Sequence, residues 1–139
     1  MEVTLGDFVK YLVLLLHQGG VPFSFRIPEP WHTLFYKLKN MPHVAGKPDF
    51  FGNLGFDWDG PYPKSEELTE FIRALCLTGS VVTTSPHFDA YALPEETKKL
   101  WLESFEKLDE PTKRFLTTAF KVARGFNFRN EALPWQLYD

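Results

Sequence analysis

The fold turns on the stretch Phe56-Asp57-Trp58-Asp59-Gly60-Pro61-Tyr62-Pro63-Lys64-Ser65-Glu66-Glu67-Leu68 and on its continuation Thr69-Glu70-Phe71-Ile72-Arg73-Ala74-Leu75-Cys76-Leu77-Thr78-Gly79. Gly60, Pro61 and Pro63 make a rigid corner, because proline fixes φ and glycine permits angles closed to other residues. Ser65 follows as an N-cap, and Glu66 and Glu67 suit the positive end of a helix. Leu68, Phe71, Ile72, Leu75 and Cys76 recur at spacings of three and four, so residues 64–77 are predicted to form a helix with that stripe in the core. Gly79 ends it. The motif Gly60, Pro61, Tyr62, Ser65 is therefore read as a structural turn that aims the helix, ahead of any ligand role. Cys76 is read as a small core side chain.

Downstream, Ser80-Val81-Val82-Thr83-Thr84 and Phe88-Asp89-Ala90-Tyr91-Ala92-Leu93 flank Ser85-Pro86-His87 and predict a hairpin over residues 80–93. Pro94 opens a helix carrying Leu100, Trp101, Leu102, Phe105 and Leu108, and Asp109 caps another with Glu110 and Pro111 in its first turn and Gly125 as its stop. Upstream, Thr4 and Asp7 cap a first helix with Leu5, Phe8, Val9, Leu12, Leu15 and Leu16 on its apolar face, closed by Gly19-Gly20. A second helix has Pro30 in its opening turn and buries Trp31, Leu34, Phe35 and Leu38 before Pro42. Residues 42–63 hold four prolines and four glycines among Phe50, Phe51, Phe56, Trp58 and Tyr62, so they form an ordered loop with a short strand near residues 55–58 and no long helix.

The 139 residues fit one domain, with 44% hydrophobic and 17% aromatic side chains, a composition that excludes a disordered tail, a collagen-like chain and a coiled coil. The longest apolar run, over residues 11–16, is far short of a membrane span. Glu2 and Asp7 stand where a signal peptide would carry positive charge, and the single cysteine can form no internal disulfide, so the expected setting is cytoplasmic.

The order helix, helix, helix, hairpin, helix, helix is that of a winged helix-turn-helix. The expected fold class is thus α+β, mainly helical and winged-helix-like: three helices, a β-hairpin wing and two C-terminal helices in one domain spanning residues 1–139. The segment around Gly60-Pro61-Tyr62, with Ser65 and Leu68 close behind, resembles one in a largely uncharacterised family of small prokaryotic winged-helix-like proteins related to the Panacea domains of some antitoxins. The resemblance runs through Leu75, Thr78-Gly79-Ser80-Val81 and Tyr91-Ala92-Leu93, about residues 50–95, and more weakly through Leu14-Leu15-Leu16, Gly19-Gly20-Val21 and Leu34-Phe35-Tyr36-Lys37-Leu38. Residues 22–30 depart from that family's short polar connection. The resemblance implies the wing arrangement and, as broad setting, regulation or toxin neutralisation.

In a helix-turn-helix the helix over residues 64–77 would read DNA. Its exposed face carries Glu66, Glu67 and Glu70 instead, and the net charge of −3 supplies no attraction to phosphate. The last helix differs: Lys113, Arg114, Lys121, Arg124 and Arg129 make a basic face that would contact nucleic acid or an acidic partner, or would simply pair with Glu66, Glu67, Glu70, Glu103 or Glu106. Phe126, Phe128, Trp135 and Tyr138 give residues 126–139 an aromatic tail that packs on the domain or on a partner. His17, His32, His43 and His87 form no close pair on one helix, and with one cysteine they build no zinc set; no catalytic signature or cofactor motif accompanies them. The expectation is a non-enzymatic domain, without metal or cofactor, that binds a protein partner or a second copy of itself away from membranes. The alternative is nucleic-acid binding through the basic helix, as in a transcriptional regulator.

Overall fold

Thr4 and Asp7 cap each other's main-chain N–H groups at 3.1 and 3.2 Å and start α1 (Leu5–Gln18), the centre of the computed structural model of the chain. The structure describes residues 3–21, 23, 25, 27–78, 82, 83 and 91–126. Helix α1 is apolar on nearly every side and buries Phe8, Val9, Tyr11, Leu12, Val13, Leu14 and Leu16, as a helix enclosed by others must. Helix α2 (Glu29–Asn40) sets Trp31, Leu34, Phe35 and Leu38 into the same core. The short α3 (Phe50–Asn53) contributes Phe51. Then come α4 (Glu66–Leu77), α5 (Glu95–Glu106) and α6 (Glu110–Ala123). Helix α1 packs mainly on α5 and α6, and α2 on α3 and α6. Phe8 is the node: its ring meets Phe35, Phe50, Phe51 and Phe115 with centroids 5.2 to 6.0 Å apart, three of the four contacts near edge-on.

The winged-helix class is corrected. Six helices dominate the described residues, and among those residues strand pairing in the expected wing is a two-residue antiparallel ladder, β1 (Val82–Thr83) with β2 (Tyr91–Ala92), in the register Val82↔Ala92 and Thr83↔Tyr91. Pro94, which lacks an N–H, leads straight into α5 and bounds the ladder on one side. Residues 80–81 and 84–90 of the predicted hairpin, and the helix stop expected at residue 79, lie outside the described residues. An additional helix, α3, intervenes before the helix expected to be third, and the two C-terminal helices pack on α1.

The loop after α2 is ordered, as its aromatic content predicts, but it is held by lysines. Lys47 Nζ donates to the carbonyls of Lys39 and Met41 at 2.9 and 2.7 Å, and Lys39 Nζ donates to that of Leu54 at 2.6 Å. Ammonium groups on the last carbonyls of a helix satisfy acceptors that have no partner within it. Gly46, at φ +91°, brings this loop against the main chain of Pro111 at the start of α6. A side chain at residue 46 would overlap the Pro111 carbonyl and would also be strained at that φ.

Candidate functional site

The corner before α4 is closed by main-chain hydrogen bonds. Asp57 N–H donates to Lys64 C=O and Lys64 N–H to Asp57 C=O, both at 2.9 Å. Ser65 then caps α4, its Oγ accepting from Leu68 N–H at 3.4 Å. Gly60, Pro61, Tyr62 and Lys64, together with Asp57 and Asp59, line an open cavity of about 410 Å³ on the outside of the turn. Trp58 projects from it, 60% exposed and edge-on to Tyr36 at 5.4 Å, so one aromatic residue of this segment stays at the surface instead of entering the core.

What anchors the corner is a residue that sequence reasoning missed. His32, on α2, is 1% exposed. Its Nδ1 accepts the Ser65 N–H at 2.9 Å, so the ring proton belongs on Nε2, which lies 3.3 Å from Thr69 Oγ1; that hydroxyl donates on to the Ser65 carbonyl at 3.1 Å. Burial, reinforced by the Lys64 ammonium, lowers the His32 pKa from 6.5 to about 4, and the imidazole is neutral near pH 7. The Tyr62 ring leans on it with centroids 5.9 Å apart. The signal available in sequence was a histidine at the edge of the stripe Trp31, Leu34, Phe35; its partners lie 33 and 37 residues away and have no local signature.

Helix α6 presents its basic residues on the side away from Phe115, Leu116, Ala119 and Ala123, which are buried. Lys113 is drawn in: it pairs with Glu106 at 3.7 Å and lies 6.0 Å from the Phe105 ring centroid, tying α6 to α5. Arg114, Lys121 and Arg124 are exposed. Arg124 rests over the Phe120 ring at 5.2 Å, and among the described residues Arg114 and Lys121 make no ion pair. Glu110, in the first turn, shares their sector of the helix. Of the acidic residues that could have neutralised the face, Glu106 does so at Lys113. Glu66, Glu67 and Glu70 stand exposed on α4, with Glu70 3.8 Å from Arg73.

Phe126 is half-buried against the core. Arg129, Phe128, Trp135 and Tyr138 lie outside the described residues. Cys76 is exposed, not in the core: α4 turns Leu68 and Leu75 fully inward, leaves Phe71 and Ile72 half-buried, and carries Cys76 and Leu77 to the surface. Atoms packed around the sulfur still push the thiol pKa up. No group of three His, Cys, Asp or Glu side chains suited to a metal ion occurs among the described residues.

No protein-family model, curated protein or solved structure matches the chain.

Proposed function

We propose that the chain is a non-enzymatic binding module for a protein partner, acting in the cytoplasm in regulation or toxin neutralisation. The observation that carries the reading is α5. This helix of 12 residues fully buries none of its side chains: Trp101, Leu102 and Phe105 are half-buried, and Leu100 is 62% exposed. An exposed large apolar side chain beside partly covered ones gains by association with another protein, whereas a phosphate backbone offers it nothing. Among the described residues no helix is long and apolar enough to cross a membrane. The resemblance around Gly60-Pro61-Tyr62 is what attaches regulation or toxin neutralisation to the reading. Nucleic-acid binding is the second reading, supported by exposed Arg114, Lys121 and Arg124 on one side of α6.

The test compares the chain with its Leu100→Asp variant as immobilised baits in native extract. We expect a discrete protein retained through a high-salt wash by the first and lost by the second, at an unchanged melting temperature. Retention of nuclease-sensitive material released by salt, and equal for both baits, would favour the second reading.

A further inference from the structure

Between α2 and α4, on the flank of the His32 network, lies a cavity of about 220 Å³ lined by Phe25, Pro28, His32, Thr69, Ile72, Arg73 and Cys76. We propose that it binds a small aromatic monocarboxylate, with the ring against Phe25, Pro28 and Ile72 and the carboxylate on the Arg73 guanidinium.

Size sets the first limit. An enclosed apolar cavity of roughly 150 Å³ accepts a benzene ring, and drug-sized ligands need about 300 Å³ or more, so this cavity, which is open to solvent on one side, suits one ring seated on its apolar wall with one small substituent toward the opening. The polar wall sets the second. His32 Nε2–H is committed to Thr69 Oγ1, and the Thr69 hydroxyl donates to the Ser65 carbonyl. That network is satisfied internally and offers an incoming group no spare N–H or O–H donor. Arg73 supplies what the wall lacks. Among the described lining residues it is the one permanent cation, and its only ion pair among the described residues is with Glu70 at 3.8 Å, too long for a hydrogen bond. A guanidinium has five N–H donors in a planar fork that matches a carboxylate. Apolar walls with a single aimed donor group are the usual make-up of a small-ligand site. The ligand that satisfies both walls has an apolar ring and one anionic head.

Cys76, the only cysteine of the chain, stands in the same lining and reports occupancy directly. The experiment follows alkylation of Cys76 by neutral N-ethylmaleimide while benzoate or benzyl alcohol, its uncharged counterpart, is titrated in. We expect benzoate to slow alkylation saturably, about tenfold at ten times its Kd, since only the unoccupied fraction reacts. Benzyl alcohol should protect at concentrations about tenfold higher. Arg73→Gln, at an exposed residue whose loss leaves the fold intact by circular dichroism, should weaken benzoate to the level of benzyl alcohol. That loss is the tenfold or more that a charge-assisted hydrogen bond is worth. Shifts of the His32 ring proton resonances should follow the same titration curve. Absence of saturable protection together with unmoved His32 resonances, or benzoate protection unchanged by Arg73→Gln, overturns the proposal.

Discussion

The Ser65 N–H donates to Nδ1 of His32 at 2.9 Å, joining the cap of one helix to the interior of another. At that single contact the turn Gly60-Pro61-Tyr62 is tied to α2 and the direction of α4 is set. Protonating His32 Nδ1 removes the acceptor and places a buried cation near Lys64.

Acid should therefore loosen the molecule through His32. Its folded pKa of about 4 lies below the ordinary 6.5, so the unfolded chain binds the proton more readily. The stabilisation is complete above pH 6.5 and declines as pH falls toward 4, by about 2 kcal/mol between pH 7.5 and 4.5. Urea unfolding of the natural chain and of His32→Gln at both pH values measures it. The stability difference between the two should shrink at pH 4.5, because carboxylate titration is common to both.

Gly46→Ala should be among the most damaging single-methyl additions in the chain. The added carbon meets the Pro111 carbonyl and must adopt a φ of +91°. Backbone strain of this kind costs about 1 to 3 kcal/mol before the clash is counted. Gly52→Ala, on α3 with open space around the new carbon, is the control and should lie within about 0.5 kcal/mol of the natural chain. Thermal unfolding of the two variants decides between them.

Leu68→Ala and Phe71→Ala should rank in the order opposite to side-chain size. Leu68 is fully buried and its truncation should cost about 2 to 5 kcal/mol. Phe71 is half-buried, lying against Gly6 at the start of α1, and should cost about 1 to 2 kcal/mol, not the 3 to 5 of an enclosed phenylalanine. Denaturant midpoints with unchanged m-values would establish the order.

For the basic face, the expected result is that a random-sequence DNA duplex binds no tighter than about 10⁻⁶ M at physiological salt. Exposed Glu66, Glu67 and Glu70 and the net charge of −3 oppose phosphate, and Lys113 is engaged with Glu106. Fluorescence anisotropy against salt concentration measures this. Tighter binding that disappears when Lys113, Arg114, Lys121 and Arg124 are all replaced by alanine would transfer the function to nucleic acid.

Much of the local structure was legible because caps and breakers act over a few residues. Thr4 with Asp7, Ser65 with Leu68 and Asp109 with Thr112 are interactions three residues apart, and each starts its helix where the residue types predict. The stripe Trp31, Leu34, Phe35, Leu38 enters the core for the same reason: helical spacing alone puts it on one face. Other outcomes depended on which element arrived opposite. Helix α4 has an equally regular stripe, yet its cover extends over Leu68 and Leu75 and leaves Cys76 in the open, because depth of burial belongs to the neighbouring surface and not to the periodicity. The winged-helix class fails because the long-range packing of α1 on α5 and α6 makes the described residues mainly helical, with strand pairing among them confined to residues 82–83 and 91–92. His32 shows the division most plainly. The sequence by itself determined that a histidine would lie near an apolar helix face, and only the tertiary structure, by bringing Ser65 and Thr69 to its two nitrogens, decided that it would be neutral, buried and structural.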